Sequence, residues 1–202
     1  MNEPQDEFGG LEAARRQFEA TERDARALAG SLSDGQLNWQ SEPGRWSIGQ
    51  CLAHLATSTD RALPAIDRAI ATARERQWVP DKPVRYGWFA RWMTNSMEPP
   101  PKRLMKTFAI FQPPAESLHR DAVLADLAAS RGRLLERVRQ SAGLNLKRPI
   151  VVSPVSRLFR MPLGAYFAFL AAHDRRHLWQ ARAVREASGF SQPATFAEQQ
   201  PS

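Results

Sequence analysis

Two of the chain's four histidines lie four residues apart in the octapeptide HDRRHLWQ, residues 173–180. Four residues make about one helical turn, so on a helix His173 and His177 lie one above the other on a single face. Two neutral imidazoles in that arrangement can bind one metal ion. The same spacing also arises by chance, and a half-buried histidine often only hydrogen-bonds a neighbour. The octapeptide alone leaves both interpretations open.

A catalytic metal site needs about three protein ligands and an open position, so another helix must supply a third ligand. His54 is the leading candidate, because it lies early in a strongly predicted helix, on the flank of its apolar stripe. Cys51, one turn earlier, is a second candidate, but a single cysteine on an apolar edge is more typical of a small core residue. The fourth histidine, His119, is predicted to be exposed beside Arg120 and Asp121.

Asp174 is an unusual residue, because it falls near the middle of the apolar stripe that carries both histidines. An unpaired carboxylate there costs several kcal/mol, so Asp174 needs a partner. In one interpretation it lies behind the metal ligands and orients a histidine or an indole N–H. In the favoured one it pairs with Arg131, the charge inside the apolar stripe of the preceding helix. Asp174 also replaces the glutamate of the zinc-protease motif H-E-x-x-H, so that class is not predicted.

The elements that must position these residues are four segments with helical periodicity. The predicted helices cover residues 10–32, residues from 47 past 70, residues 118–142 and residues 161–189. Ser47 and Gln50 predict a capping box at the start of the second helix. Gly143 can take the left-handed conformation that ends the third.

A long crossover, residues 78–116, joins the second and third predicted helices and is rich in proline and tryptophan. Its aromatic content predicts an ordered segment, with a short helix at residues 86–97. Four long helices with one long crossover predict an all-α four-helix bundle with negligible strand content. Trp88, Trp92 and Tyr166 are candidates to line a pocket, whereas Trp46 is interpreted as structural.

Length and composition favour one domain over residues 1–202, with a core at about 10–188, a flexible acidic N-terminus and a flexible polar tail at 189–202. The chain carries a net charge of +7, but its arginines alternate with acidic residues on every predicted helix. That pattern predicts solvated faces and argues against nucleic-acid binding. The single cysteine, the absence of a long apolar segment and the acidic N-terminus favour a cytoplasmic protein that does not enter a membrane.

Three stretches together resemble the DinB-like family, also called the YfiT-like metalloenzymes. The first is WSIGQCLAHL at residues 46–55, and the second is PLGAYFAFLAAHDRRHLWQA at residues 162–181. The third and weaker one is the proline-rich segment from Glu98 to Pro114. The resemblance covers about residues 10–188.

This resemblance implies a four-helix bundle in which His54, His173 and His177 hold one divalent ion, commonly zinc, nickel, iron or manganese. It also implies a homodimer and a small-molecule substrate, since activities in the family include bacillithiol-dependent thiol transfer, mycothiol-dependent isomerisation and hydrolysis. We therefore expect a metal-dependent hydrolase or thiol S-transferase that activates water or a low-molecular-weight thiol against a small electrophile. The alternative is a non-catalytic metal-binding or stress-associated scaffold protein.

Overall fold

In the computed structural model of the protein, the described part of the chain forms six α-helices, a 3₁₀ turn and one β-hairpin. The structure describes residues 8, 10–80, 84–101, 109–113, 117–154, 156 and 158–190. The helices are α1 (Gly10–Ala29), α2 (Asp34–Asn38), α3 (Ile48–Glu75), α4 (Trp88–Met97), α5 (Arg120–Gln140) and α6 (Leu163–Glu186), with the 3₁₀ turn at Ala109–Phe111. The hairpin pairs β1 (Ile150–Val152) antiparallel to β2 (Arg160–Pro162).

The four long helices α1, α3, α5 and α6 form the predicted bundle. Each packs mainly against two neighbours, in the cyclic order α1, α5, α3, α6, so α5 and α6 face each other across the centre. The short α4 packs against the outside of α6. The prediction of an all-α four-helix bundle is confirmed, with the helix ends moved by a few residues.

The long helix α3 begins at the capping box that the sequence predicts. The Ser47 hydroxyl accepts a hydrogen bond from the Gln50 amide at 3.1 Å, and the Gln50 side chain accepts one from the Ser47 amide at 3.1 Å. Its whole apolar stripe is buried: Ile48, Leu52, Leu55, Thr59, Leu63, Ile66 and Ile70. His54, predicted on the flank of that stripe, is also buried, because α3 packs against α5 on one side and α6 on the other.

Ser47→Ala is expected to lower the free energy of unfolding by about 1 kcal/mol, because the Gln50 amide at the start of α3 loses its side-chain acceptor. Ser33→Ala is the matched control, since Ser33 and Gln36 form the same capping box on the five-residue α2. Urea denaturation measures both variants. A larger loss for Ser33→Ala than for Ser47→Ala would contradict the expectation.

Two small elements, α2 and the β-hairpin, are absent from the sequence prediction. A five-residue helix is too short to show a 3.6-residue period, and each strand has only three residues. The strand content of the described residues is as small as expected and consists of this one hairpin, in which Val151 and Met161 are buried opposite each other. The predicted short helix at residues 86–97 is found as α4.

The outer faces carry ion pairs between arginines and acidic residues of neighbouring helices. Arg133 pairs with Asp60 at 2.7 Å and joins α5 to α3, and Arg182 pairs with Asp24 at 2.5 Å and joins α6 to α1. Exposed pairs of this kind each contribute about 0–1 kcal/mol. None of the helices in the described ranges has the length and apolar character needed to span a membrane.

The predicted ends of the chain are tested only in part. Phe190, inside the predicted polar tail, is buried and lies edge-on to Trp39 with 5.6 Å between ring centroids, so the packed region extends at least to residue 190. Residues 1–7 and the tail from 191, both predicted to be flexible, lie outside the described residues, as do the crossover residues 81–83, 102–108 and 114–116. The single-domain assignment stays a prediction.

Candidate metal centre

Three histidines from two helices meet inside the bundle. His54 projects from the second turn of α3, and His173 and His177 come from consecutive turns of α6. One ring nitrogen from each of the three lies within 4.8 Å of the others. The structure thus brings together the three residues that the sequence predicts as metal ligands, although His54 lies 119 residues before His173 in the chain.

The spacing of the ring nitrogens suits one small cation. His54 Nε2 and His173 Nε2 are 3.1 Å apart. Two nitrogens at about 2.0–2.1 Å from one tetrahedral zinc ion are roughly 3.3 Å apart. Two such nitrogens carry lone pairs that repel, so a proton or a metal cation must lie between them. The donor set therefore fits a divalent ion.

The other ring nitrogen of two histidines already has a partner. His54 Nδ1 donates to the Phe111 carbonyl at 2.6 Å, and His177 Nδ1 lies 3.1 Å from the Gln180 side-chain oxygen. Oxygen acceptors on Nδ1 fix the tautomer and leave the Nε2 lone pair for a metal. Phe111 contributes a backbone group, which no sequence pattern reveals. Gln180 is three residues after His177, and that spacing could have identified it.

Burial keeps the three imidazoles in the form that binds metals. Removal from water lowers the pKa of His54, and it lowers the pKa values of His173 and His177 well below 6.5. The positive charge of Arg176 lowers the last two further. Since a neutral imidazole is the metal-binding form, proton competition for the site starts at a lower pH than for an exposed histidine.

The free energy of unfolding of the metal-free protein is expected to fall as the pH drops below 6.5. In that range the unfolded histidines bind protons, while the folded ones, with lowered pKa values, stay neutral, so acid favours the unfolded state. Each histidine contributes up to about 1.4 kcal/mol per pH unit. Denaturation in a chelator from pH 7.5 to 5.5 measures this slope. The control, with glutamine at 54, 173 and 177, is expected to lose most of the slope, and an equal slope would contradict the assignment.

Aromatic rings form the walls around the three histidines. Trp46 lies 4.8 Å from the His54 ring and stacks on His177 at 5.5 Å. On the other side, Phe169 stacks on His173 at 6.3 Å, and Tyr166 is buried beside Phe169. The interpretation of Trp46 as purely structural is therefore incomplete, because its ring also covers the site. The capping box at Ser47 places it there.

Trp88 and Trp92, the other two pocket candidates, do not reach the histidines. They are 74% and 58% exposed, and Phe89 is the ring neighbour of both. The reason is the orientation of α4, whose buried face carries Ala90, Thr94 and Met97 and leaves the two tryptophans on the outside.

Asp174 lies on the same helix as the ligands but faces the centre of the bundle. Its Oδ1 is 3.1 Å from Arg131 Nη2, and its Oδ2 is 3.0 Å from the Thr21 hydroxyl. Both charged side chains are buried. The favoured interpretation, a pair with Arg131, is confirmed. Neither of these partners is a histidine or an indole.

Cys51 and His119 take the places predicted for them. Cys51 is fully buried in an apolar cluster with Leu52 and Leu55, and burial raises the pKa of its thiol. The metal-ligating cluster found among the described residues contains the three histidines without Cys51. His119 is exposed, with its Nδ1 2.9 Å from Asp34.

The fold and site define a four-helix bundle protein with a three-histidine cluster between two of its helices that could hold one metal ion. The chain belongs to the DinB superfamily, whose family model matches residues 17–181. No curated protein matches the sequence significantly.

Among solved structures, the chain is similar to YfiT from Bacillus subtilis, described as a probable metal-dependent hydrolase with an unusual four-helix bundle topology. The two share 15% sequence identity with a TM-score of 0.57, over 92% of this chain and 91% of that one. At this identity the likeness demonstrates a shared fold.

Proposed function

We propose that the protein is a metal-dependent hydrolase that acts on a small electrophilic substrate. The observation that carries the proposal is the cluster of three imidazoles whose ring nitrogens lie within 4.8 Å of one another. Membership of the DinB superfamily and the description of YfiT as a probable metal-dependent hydrolase support it. Three protein ligands are the number typical of catalytic zinc sites, whereas closed structural sites have four.

His54, His173 and His177 would hold the ion through their Nε2 atoms. When bound, a divalent ion supplies a Lewis acid that lowers the pKa of a water or a thiol. The Phe111 carbonyl and the Gln180 side chain keep two of the imidazole rings in place. Trp46 covers one side of the site, whereas His173 is the one histidine of the cluster that is only partly buried.

Metal content tests the first half of the proposal. The purified protein is exposed separately to zinc, nickel, iron and manganese, desalted and subjected to elemental analysis. About one ion per chain is expected with at least one of the four metals, because a set of three neutral imidazoles binds one ion. Protein that stays metal-free under all four conditions contradicts the proposal.

Turnover tests the second half and separates hydrolysis from thiol transfer. The metal-loaded protein is assayed on generic ester and amide substrates, and on small electrophiles with and without low-molecular-weight thiols. Hydrolysis without added thiol, lost with a chelator and restored with metal, is the expected result. Turnover that requires a thiol indicates the S-transferase instead. Full metal occupancy with no turnover favours the non-catalytic metal-binding alternative.

The homodimer and the cytoplasmic location stay predictions.

A further inference from the structure

We infer that the buried pair of Arg131 and Asp174 is a positioning device that sets the register of α6 against α3 and so holds His173 at His54. Both residues lie at the centre of the bundle, where α5 and α6 face each other. The inference concerns the histidine geometry of the metal-free protein. It rests on the proposed function only for its effect on metal affinity.

The guanidinium of Arg131 joins three of the four long helices. Its Nη1 donates to the Thr59 hydroxyl of α3 at 2.8 Å, and its Nη2 donates to Asp174 Oδ1 of α6 at 3.1 Å. The fourth helix, α1, adds the Thr21 hydroxyl on the far oxygen of Asp174 and the Phe18 ring, 5.9 Å from Arg131 Cζ. One buried polar network therefore contacts all four helices.

The two contacts of Arg131 Nη2 are to residues that directly follow His54 and His173 in the sequence. This single nitrogen lies 3.3 Å from the carbonyl oxygen of Leu55, the residue after His54, and 3.1 Å from the carboxylate of Asp174, the residue after His173. A shift of α6 by one residue moves its side chains about 1.5 Å along the axis and about 100° around it. Such a shift would break the Nη2 contact and separate the two histidine nitrogens, now 3.1 Å apart.

Stability alone does not account for this pair. A buried ion pair is often no more stabilising than apolar side chains of similar volume, because both charges leave water. This network is also incomplete, since Arg131 Nε is buried with no hydrogen-bond partner among the residues that the structure describes. Apolar side chains tolerate several packing registers, whereas a directional ion pair with a fixed carbonyl partner tolerates one. What the pair adds is therefore a defined register.

The double variant Arg131→Met/Asp174→Val tests the inference, because it removes both charges and keeps the site apolar. We expect a folded bundle with a melting temperature close to that of the wild type. In a crystal structure of the metal-free variant, His54 Nε2 and His173 Nε2 are expected to move apart from 3.1 Å. Zinc affinity, measured by competition titration, is expected to fall about 10- to 100-fold, as for other groups that orient metal ligands.

The matched control is Arg133→Met/Asp60→Val, which removes an exposed ion pair from the same helix α5. It is expected to leave the histidine spacing and the zinc affinity unchanged. If the Arg131→Met/Asp174→Val protein does not fold, Asp174→Asn decides, since it removes the charge at nearly constant volume. A longer nitrogen spacing in Asp174→Asn supports the inference, and unchanged spacing overturns it.

The two proposals fail in different ways. Wild-type protein that binds no zinc or other metal contradicts the metal-dependent function, and the spacing in the metal-free structures then decides the positioning role by itself. In the other case, the wild type binds zinc, and the folded double variant has the same zinc affinity and the same distance between His54 Nε2 and His173 Nε2. This result overturns the positioning role and leaves the proposed function intact.

Discussion

His177→Ala is expected to lower the affinity of the protein for a divalent ion by more than about 100-fold, since loss of a group that merely orients a ligand already costs roughly 10- to 100-fold. His177 is a buried member of the cluster, and its Nδ1 is hydrogen-bonded to Gln180. The cluster found among the described residues contains only the three histidines, so it offers no further ligand to replace the Nε2 atom of His177. His54→Ala is expected to have the same effect from the other helix. Elemental analysis after desalting should find near-stoichiometric metal in the wild type and almost none in either variant.

His119→Ala is the matched control for this experiment, because His119 is the one histidine outside the cluster. It is exposed and contacts Asp34 at the surface, so its loss should leave the metal content unchanged. Full metal occupancy in His54→Ala or His177→Ala would mean that the ion binds elsewhere. Equal loss in His119→Ala would point to a general defect in folding or purification.

Arg131→Met alone is expected to lower the free energy of unfolding by about 3–5 kcal/mol, because it leaves the buried Asp174 without its charged partner. For a chain of this size that loss corresponds to a melting temperature roughly 6–20 °C lower. Chemical denaturation at pH 7 in the presence of a chelator measures the change without a contribution from metal binding.

Two further variants serve as controls for the stability of Arg131→Met. Arg133→Met removes the arginine of an exposed pair two residues further along the same helix, and should cost less than about 1 kcal/mol. Adding Asp174→Val to Arg131→Met should restore most of the lost stability, since no unpaired charge then remains buried. A cost below about 1 kcal/mol for Arg131→Met would show that Asp174 is not charged in the folded protein.

The helices and the His173–His177 pair could be predicted from sequence because both depend on local spacing, whereas His54 was predicted from its place on another helix and from the family resemblance. A 3.6-residue apolar period identifies α3 and α6, and a four-residue interval places His173 and His177 on one face. The partner of Asp174 was also predictable, since Arg131 is a residue of opposite charge that interrupts the apolar stripe of another predicted helix. In a long helix, the 3.6-residue period determines which residues lie on the same face.

The surroundings of the site could not be predicted in the same way, because they depend on how segments cross. Nothing in the sequence around Trp46 indicates that its ring stacks on His177, 131 positions later, since this requires the packing of α3 against α6. Trp88 and Trp92 show the opposite case. Their aromatic character suggests a pocket, but the face of α4 that packs on α6 carries smaller residues.

The hydrogen bond between His54 and residue 111 has a consequence for the substitutions that the crossover can accept. The crossover holds this histidine through a main-chain oxygen, and every amino acid offers the same oxygen. Phe111 can therefore be exchanged for another residue without loss of the acceptor, provided the local backbone path is kept. The crossover can therefore change the side chain at this position, beside the three histidines, while its main-chain hydrogen bond continues to orient the His54 ring.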